Sequence, residues 1–320
     1  MINAKVSEIL KKQHYAIAGK NSGIQVCRWT KKSLINEGEC YKEKFYGILS
    51  HRCCQMSPAV IWCQNKCEHC WRAIELSLGK KINDIDEPKK IISECIKAQR
   101  KMISGFKGNK KVDMKKWKEA QEPSQFAISL SGEPTLYPKL AELILELKIQ
   151  GKTSFIVTNG LLPDKILEMK KKKALPTQLY VSLNYPDEKI FRKITKNKSR
   201  DAWKNLNKSL ELMKKLPTRK VIRITLVRDL NMQNEKDYAK LIKKAFPDFI
   251  EVKGYMSVGF ARKRLGYERM PTHKEVKKFA EKLLKYLKSE KYKFLDEKIE
   301  SRVVLLGKDR KKMKIKKNEI

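Results

Sequence analysis

After residue 58 the chain alternates short apolar runs with amphipathic stretches. The runs AVIWC (59–63), FAISL (126–130), SFIVT (154–158), LYVSL (179–183), VIRITLV (221–227) and FIEVKGY (249–255) are rich in β-branched and aromatic residues and nearly continuous in apolar character. That pattern predicts strands buried on both faces. Between them, 88–104, 138–150, 201–215 and 235–245 carry helical periodicity; 272–290 predicts a further helix and RVVLL (302–306) a late strand. Alternating strands and helices imply a parallel sheet with right-handed crossovers. Six such units give an α/β fold of the partial (β/α)6 barrel kind, with ligands expected at the strand C-termini. The expected organisation is a cysteine-bearing N-terminal extension (1–57), the barrel (58–256) and a C-terminal helical extension with a basic tail (257–320). The segment 105–121 reads as a long basic loop, and Lys170 to Lys173 as a solvated charge run.

Charge adds a partner class. The 320 residues are 41% hydrophobic, enough for a core, and hold 73 Lys and Arg against 36 Asp and Glu, a formal net charge of +37. Such an excess suits a polyphosphate partner, because Lys and Arg displace condensed counterions. Lysine enrichment of the whole proteome is the competing explanation. The opening residues lack the apolar core of a signal peptide, and no stretch reaches membrane-spanning length, so a cytoplasmic protein is expected. Its eight cysteines then read as metal-binding or redox residues and not as a disulfide framework. Seven lie between Cys27 and Cys70; Cys95 sits in a helical pattern and reads as a small buried hydrophobe.

The strongest motif is Cys63-Gln-Asn-Lys-Cys67-Glu-His-Cys70. Three closely spaced thiolates can hold three corners of a 4Fe-4S cluster and leave one iron open. A zinc site would want a fourth ligand, for which His69 is awkwardly adjacent to Cys70. The spacing resembles that of radical S-adenosylmethionine enzymes, in which the open iron binds the cofactor's amino and carboxylate groups. An electron then splits the cofactor into methionine and a 5′-deoxyadenosyl radical. Ser131-Gly132-Glu133-Pro134-Thr135 resembles the Gly-Gly-Glu element that receives the cofactor's ammonium in that class. Thr158-Asn159-Gly160 resembles its Thr-Asn-Gly. Ser182 and Asn184 end the next strand and are candidates for the cofactor's ribose or carboxylate; Arg223 and Thr225 are expected to face inward. A second constellation, Cys27, Cys40 and Cys53, has twelve residues between each consecutive pair. Scattered thiols and a second cluster both remain open on spacing alone.

The segments Cys40-Tyr-Lys-Glu-Lys-Phe-Tyr-Gly-Ile48 and Ser50-His-Arg-Cys-Cys-Gln-Met56, with Leu130 to Pro138 and Lys253 to Gly259, closely resemble the archaeal 4-demethylwyosine synthases. The resemblance covers about residues 20 to 306. It implies an auxiliary 4Fe-4S cluster on Cys27, Cys40 and Cys53, with Cys54 left over, and a pyruvate-handling role for Lys42. Pyruvate could chelate the auxiliary cluster, form a Schiff base with Lys42, or both. The implied substrate is N1-methylguanosine at position 37 of tRNA-Phe, condensed with two carbons of pyruvate by a carbon–carbon lyase of wybutosine biosynthesis. The implied reductant is a separate flavodoxin or ferredoxin, and a monomer is expected. Arg262 and Arg264 are candidates for tRNA phosphate contacts. Another radical tRNA-modifying enzyme, or a non-catalytic iron–sulfur or zinc tRNA-binding module, is the alternative; release of 5′-deoxyadenosine separates enzyme from module.

Overall fold

A computed structural model describes residues 2–316 and 319. Its strands form one sheet: β1 (Ala16–Ala18), β2 (Ser22–Ile24), β3 (Cys53–Ser57), β4 (Gln125–Ile128), β5 (Thr153–Thr158), β6 (Gln178–Ser182), β7 (Arg219–Leu226), β8 (Phe249–Gly254), β9 (Lys293–Lys298) and β10 (Val303–Gly307). The order is β1-β2-β3-β4-β5-β6-β7-β8-β10-β9. β3 to β8 run parallel in chain order, the six strands of an open partial barrel. β2 and β1 extend one edge antiparallel, and β10 and β9 extend the other. Helices α1 (Ala4–Lys12), α2 (Arg28–Leu34) and α3 (Tyr41–Tyr46) precede the barrel. The crossovers carry α4 (Pro88–Ile103), α5 (Met114–Ala120), α6 (Leu140–Ile149), α7 (Pro163–Lys171), α8 (Glu188–Thr195), α9 (Ala202–Met213) and α10 (Glu235–Ala245). α11 (Ala261–Leu265) and α12 (His273–Lys285) follow β8. Among the described residues no helix is long and apolar enough to cross a membrane.

Side chains alternate across a strand, and here both faces are covered. Leu179, Val181, Ile222, Ile224, Ile250 and Val252 face the helices. Phe155, Tyr180, Val221, Phe249, Val303 and Leu305 face inward and enclose Tyr41, Phe45 and Tyr46 of α3. The short helix therefore plugs the barrel interior. Both Tyr41 and Tyr46 donate to the fully buried carboxylate of Glu251 on β8, at 3.0 and 2.8 Å.

Three expectations change. No strand occupies 59–63; the first parallel strand is β3, whose Cys54 and Met56 face the helices. Ala59 to Trp62 instead cross the strand ends as a buried turn packed on Val6, Leu10, Tyr15 and Leu130. A continuous apolar run reports burial, and a buried turn produces it as well as a strand does. The segment 105–121 is not an open loop. It holds α5, capped by the Asp113 carboxylate and tied by the Trp117 indole donating to the Ile103 carbonyl. Third, β1, β2, β9, α1, α2, α3, α7, α8 and α11 were not legible, being short or mostly polar.

Phe45 is fully buried in the plug. Its replacement by alanine should cost about 3–5 kcal/mol, as for other buried aromatics. Denaturant unfolding of Phe45→Ala checks this; a loss under about 1 kcal/mol would show that packing does not hold the plug.

Candidate active site

The loop from Cys63 to Cys70 lies beyond the strand C-termini and is held by main-chain bonds to distant segments. Cys63 N–H donates to the Gly79 carbonyl (3.0 Å), Lys66 N–H to Thr195 (2.8 Å) and Glu68 N–H to Ile194 (3.2 Å). Arg264 clamps the loop from the other side. Its guanidinium donates to the carbonyls of Glu68, Cys70 and Arg72 and pairs with Glu75. This corrects the phosphate-contact expectation for Arg264, whose donors are spent on the protein itself. Arg262 donates to the Ser257 carbonyl and lies over Tyr267.

The three thiols crowd one another. Burial, then the Cys63 and Cys70 thiols, push Cys67 well above the ordinary thiol range. Burial raises Cys63 to about 11, against the opposing charge of Arg72. Arg72 is only 2% exposed. One terminal nitrogen reaches the Asn65 carbonyl at 3.4 Å, while Nε and Nη1 have no partner. A buried guanidinium with two of its nitrogens unpartnered among the described residues, and with the Cys63, Cys67 and Cys70 thiols acting on it, fits an anionic centre such as a thiolate-bound cluster. Among the described residues no three ligating side chains are arranged to hold a metal ion, so a cluster here would require the thiols to draw together around it.

The candidate cofactor residues line the ends of β4, β5 and β6. Gly132 has φ +70°, and a Cβ there would lie 1.7 Å from the Ala59 carbonyl oxygen. Only glycine allows this approach of the turn to the cysteine loop. Glu133 N–H donates to the Trp62 carbonyl at 2.8 Å. Its carboxylate Oε1 accepts from Thr135 N–H, Thr135 Oγ1 and Thr158 Oγ1, and Oε2 accepts from Asn159 N–H at 2.7 Å. Glu133 thus fastens β4 to β5, and Oε2 retains a lone pair for an outside donor. Burial raises its pKa, against these bonds. Pro134 follows in a buried 3-10 turn. Asn159 Nδ2 donates to Gln64 at 3.0 Å. Asn184 accepts from Thr225 N–H at 2.7 Å and donates to His69 Nε2 at 3.2 Å, which puts the imidazole proton on Nδ1. Burial, with Arg223 and Arg264, pushes His69 down to about 4. Ser182 pairs across the ladder with Arg223 on the inner face.

The second triad comes from three elements. Cys27 caps α2, Cys40 caps α3 with its sulfur accepting from Lys42 N–H, and Cys53 opens β3. Burial, then the Cys27 thiol, raises Cys40 to about 12, and burial, then the Cys40 thiol, raises Cys53 well above the ordinary thiol range. Cys54 points the other way, into a buried contact with Cys95 of α4. Lys42 is 7% exposed, its ammonium 4.8 Å from the Tyr180 ring and 5.1 Å from the Phe155 ring. Burial lowers its pKa, Glu251 opposes this and Arg223 adds to it. Lys253 donates to the Ser301 carbonyl at 2.9 Å, and burial brings its pKa down to about 8. Sequence reasoning does not single out Arg72, Glu251 or Lys253 as site residues. Phe249, Glu251 and Lys253 alternate within one apolar strand, and that period placed two charges inside the barrel.

Gly132→Ala should weaken binding of S-adenosylmethionine to the iron-loaded protein by at least about tenfold, or about 1.4 kcal/mol. Equilibrium dialysis measures this; an unchanged Kd would show that the approach to Ala59 does not shape the pocket.

Two family descriptions match the chain: "Radical SAM superfamily" over residues 59–242 and "Wyosine base formation" over 244–308. The S-adenosyl-L-methionine-dependent tRNA 4-demethylwyosine synthase of Pyrococcus abyssi is 49% identical over 306 residues, covering 95% of this chain and 89% of that protein. The Methanocaldococcus jannaschii protein of the same name is 41% identical over 319 residues, covering 98% and 99%. A solved structure of TYW1 with a lysine–pyruvate adduct bound superposes with a TM-score of 0.86 at 38% identity, covering 99% of both chains. With its radical SAM partial barrel and C-terminal wyosine-forming segment, the chain belongs to the S-adenosyl-L-methionine-dependent tRNA 4-demethylwyosine synthases and is an enzyme of the radical SAM class.

Proposed function

We propose that this enzyme condenses N1-methylguanosine at position 37 of tRNA with two carbons of pyruvate to give 4-demethylwyosine. The observation that carries the reading is the burial of Lys42 inside the barrel, beside the Cys27, Cys40 and Cys53 thiols. The adduct in the related TYW1 structure supports a lysine as the group that takes pyruvate. Cys63, Cys67 and Cys70 would hold the 4Fe-4S cluster that binds S-adenosylmethionine, and Cys27, Cys40 and Cys53 a second one. When bound, the first cluster and the cofactor supply the one-electron chemistry that activates the N1-methyl group.

The chain's own residues do the rest. Gly132 to Pro134, Thr158, Asn159, Ser182 and Asn184 surround the cofactor position and orient it. The Lys42 amine adds to the keto carbon of pyruvate and one water leaves, so adduct formation consumes no oxidant. α3 fixes that amine and keeps the interior dry. The charge of +37 supplies backbone affinity for tRNA. The target base leaves its loop to reach the strand C-termini. Electrons come from a separate flavodoxin- or ferredoxin-type protein.

Two 4Fe-4S clusters correspond to about eight iron atoms per chain. Cys63→Ala and Cys27→Ala should each retain about four. Only Cys63→Ala should stop release of 5′-deoxyadenosine. About four atoms in fully reconstituted wild type would remove the second cluster from the scheme.

The reaction is tested by mass analysis of tRNA nucleosides after incubation with reduced enzyme, S-adenosylmethionine and labelled pyruvate. Two labelled carbons in the product are expected. Borohydride trapping should place the label on Lys42, and Lys42→Ala should make no product. Product formation by Lys42→Ala would end the proposed role of this residue.

A further inference from the structure

Arg223 is a guanidinium that the protein itself leaves without an acceptor. It lies on the inner face of β7, with Ser182 of β6 and Glu251 of β8 as its ladder neighbours. Among the described residues its side chain forms no hydrogen bond and no ion pair, and its Nε is buried without a partner. The adjacent Glu251 carboxylate forms no hydrogen bond or ion pair with it and turns its oxygens to the tyrosine hydroxyls instead, Oε2 to Tyr41 and Oε1 to Tyr46. An arginine facing inward normally finds a carboxylate or carbonyl, since its five donors are costly to leave unmatched.

The surroundings define what is missing. Lys42, Arg223 and Lys253 are the basic groups of this layer and Glu251 its carboxylate; burial lowers the pKa of both lysines, which leaves Arg223 as the permanent cation, and a cluster on Cys27, Cys40 and Cys53 would add negative charge beside it. The Lys42 ammonium rests on Tyr180, which stands two residues before Ser182 on the same inward face. Neighbouring strands are about 4.8 Å apart and same-face residues about 6.6 Å, so a small molecule can touch Lys42 and Arg223 together. Tyr41, which binds Glu251, is the chain neighbour of Lys42.

We propose that Arg223 is the carboxylate receptor of the second substrate, holding the carboxylate of the keto acid in its fork while the Lys42 amine meets the keto carbon. This rests on the pyruvate reading above and assigns it a specificity residue. The carboxylate is unchanged during adduct formation, so a permanent cation can hold it throughout. The same chemistry is offered by the amino-acid carboxylate of S-adenosylmethionine. Arg223 stands between the two sites, with Ser182 and His69 on the cofactor side and Glu251 on the other; the keto acid is favoured because Glu251 is bound by Tyr41, the chain neighbour of Lys42.

Arg223→Gln and Arg223→Lys are compared with wild type as iron-loaded, reduced enzymes. Loss of a charged, two-pronged contact should raise KM for pyruvate about ten- to hundredfold in Arg223→Gln, and less in Arg223→Lys. KM for S-adenosylmethionine should move less than about threefold, a margin under 1 kcal/mol. Iron content and circular dichroism exclude misfolded preparations. A larger shift for S-adenosylmethionine than for pyruvate overturns the assignment, and so does no shift in either. Equilibrium dialysis of labelled pyruvate against Lys42→Ala and the Lys42→Ala/Arg223→Gln double variant separates the two ideas. Weaker retention by the double variant supports Arg223 even if wild type forms no adduct, and equal retention overturns it.

Discussion

A carboxylate with no access to water is tolerated only where donors replace its hydration. Glu251 meets that demand with the hydroxyls of Tyr41 and Tyr46, and both belong to one six-residue helix. A helix that short has little stability of its own. The requirement of the carboxylate and the apolar fit of Phe45 and Tyr46 together keep it inside the barrel. Cys40 caps this helix and Lys42 lies in its first turn, so the chemistry of the second thiol triad is placed by a single buried ion.

The two triads are built by opposite means. Cys63, Cys67 and Cys70 are near in sequence, and their loop is shaped by bonds from outside it, from Gly79, Ile194, Thr195 and Arg264. Cys27, Cys40 and Cys53 are far apart in sequence and each begins a regular element, so their meeting follows from how those elements pack. Between the two, Glu133 joins β4, β5 and the crossing turn at Trp62, which keeps the candidate cofactor residues on one frame.

The barrel was legible because its strands β4 to β8 are short, largely apolar runs separated by stretches of helical length. The loop motif was legible because three thiols within eight residues need no tertiary information. β3 was not, since CCQMS carries its inward Cys53 and outward Cys54 with little apolar contrast, while the neighbouring turn copies the composition of a strand. The plug was hidden for a related reason. Its aromatic residues read as a family motif, and nothing local states that they fill a barrel. Arg72, and the clamping role of Arg264, escaped because what a guanidinium does depends on which carbonyls or thiols arrive beside it.

The contacts of α3 also bear on the order in which the molecule is made. Its partners include Leu295, Val303, Leu305 and Met313, and the Ile315 amide bonds to the Tyr46 carbonyl at 3.0 Å. A ribosome releases residue 40 long before residue 303, and chains fold from the N-terminus as they emerge. The segment that bears Cys40 and Lys42 therefore waits, unplaced, for the hairpin of β9 and β10. Iron delivered to the nascent chain would meet cysteines 27, 40 and 53 before the fold has gathered them. The thiol triad proposed to hold the second cluster is in this sense completed late, timed by the far end of the sheet.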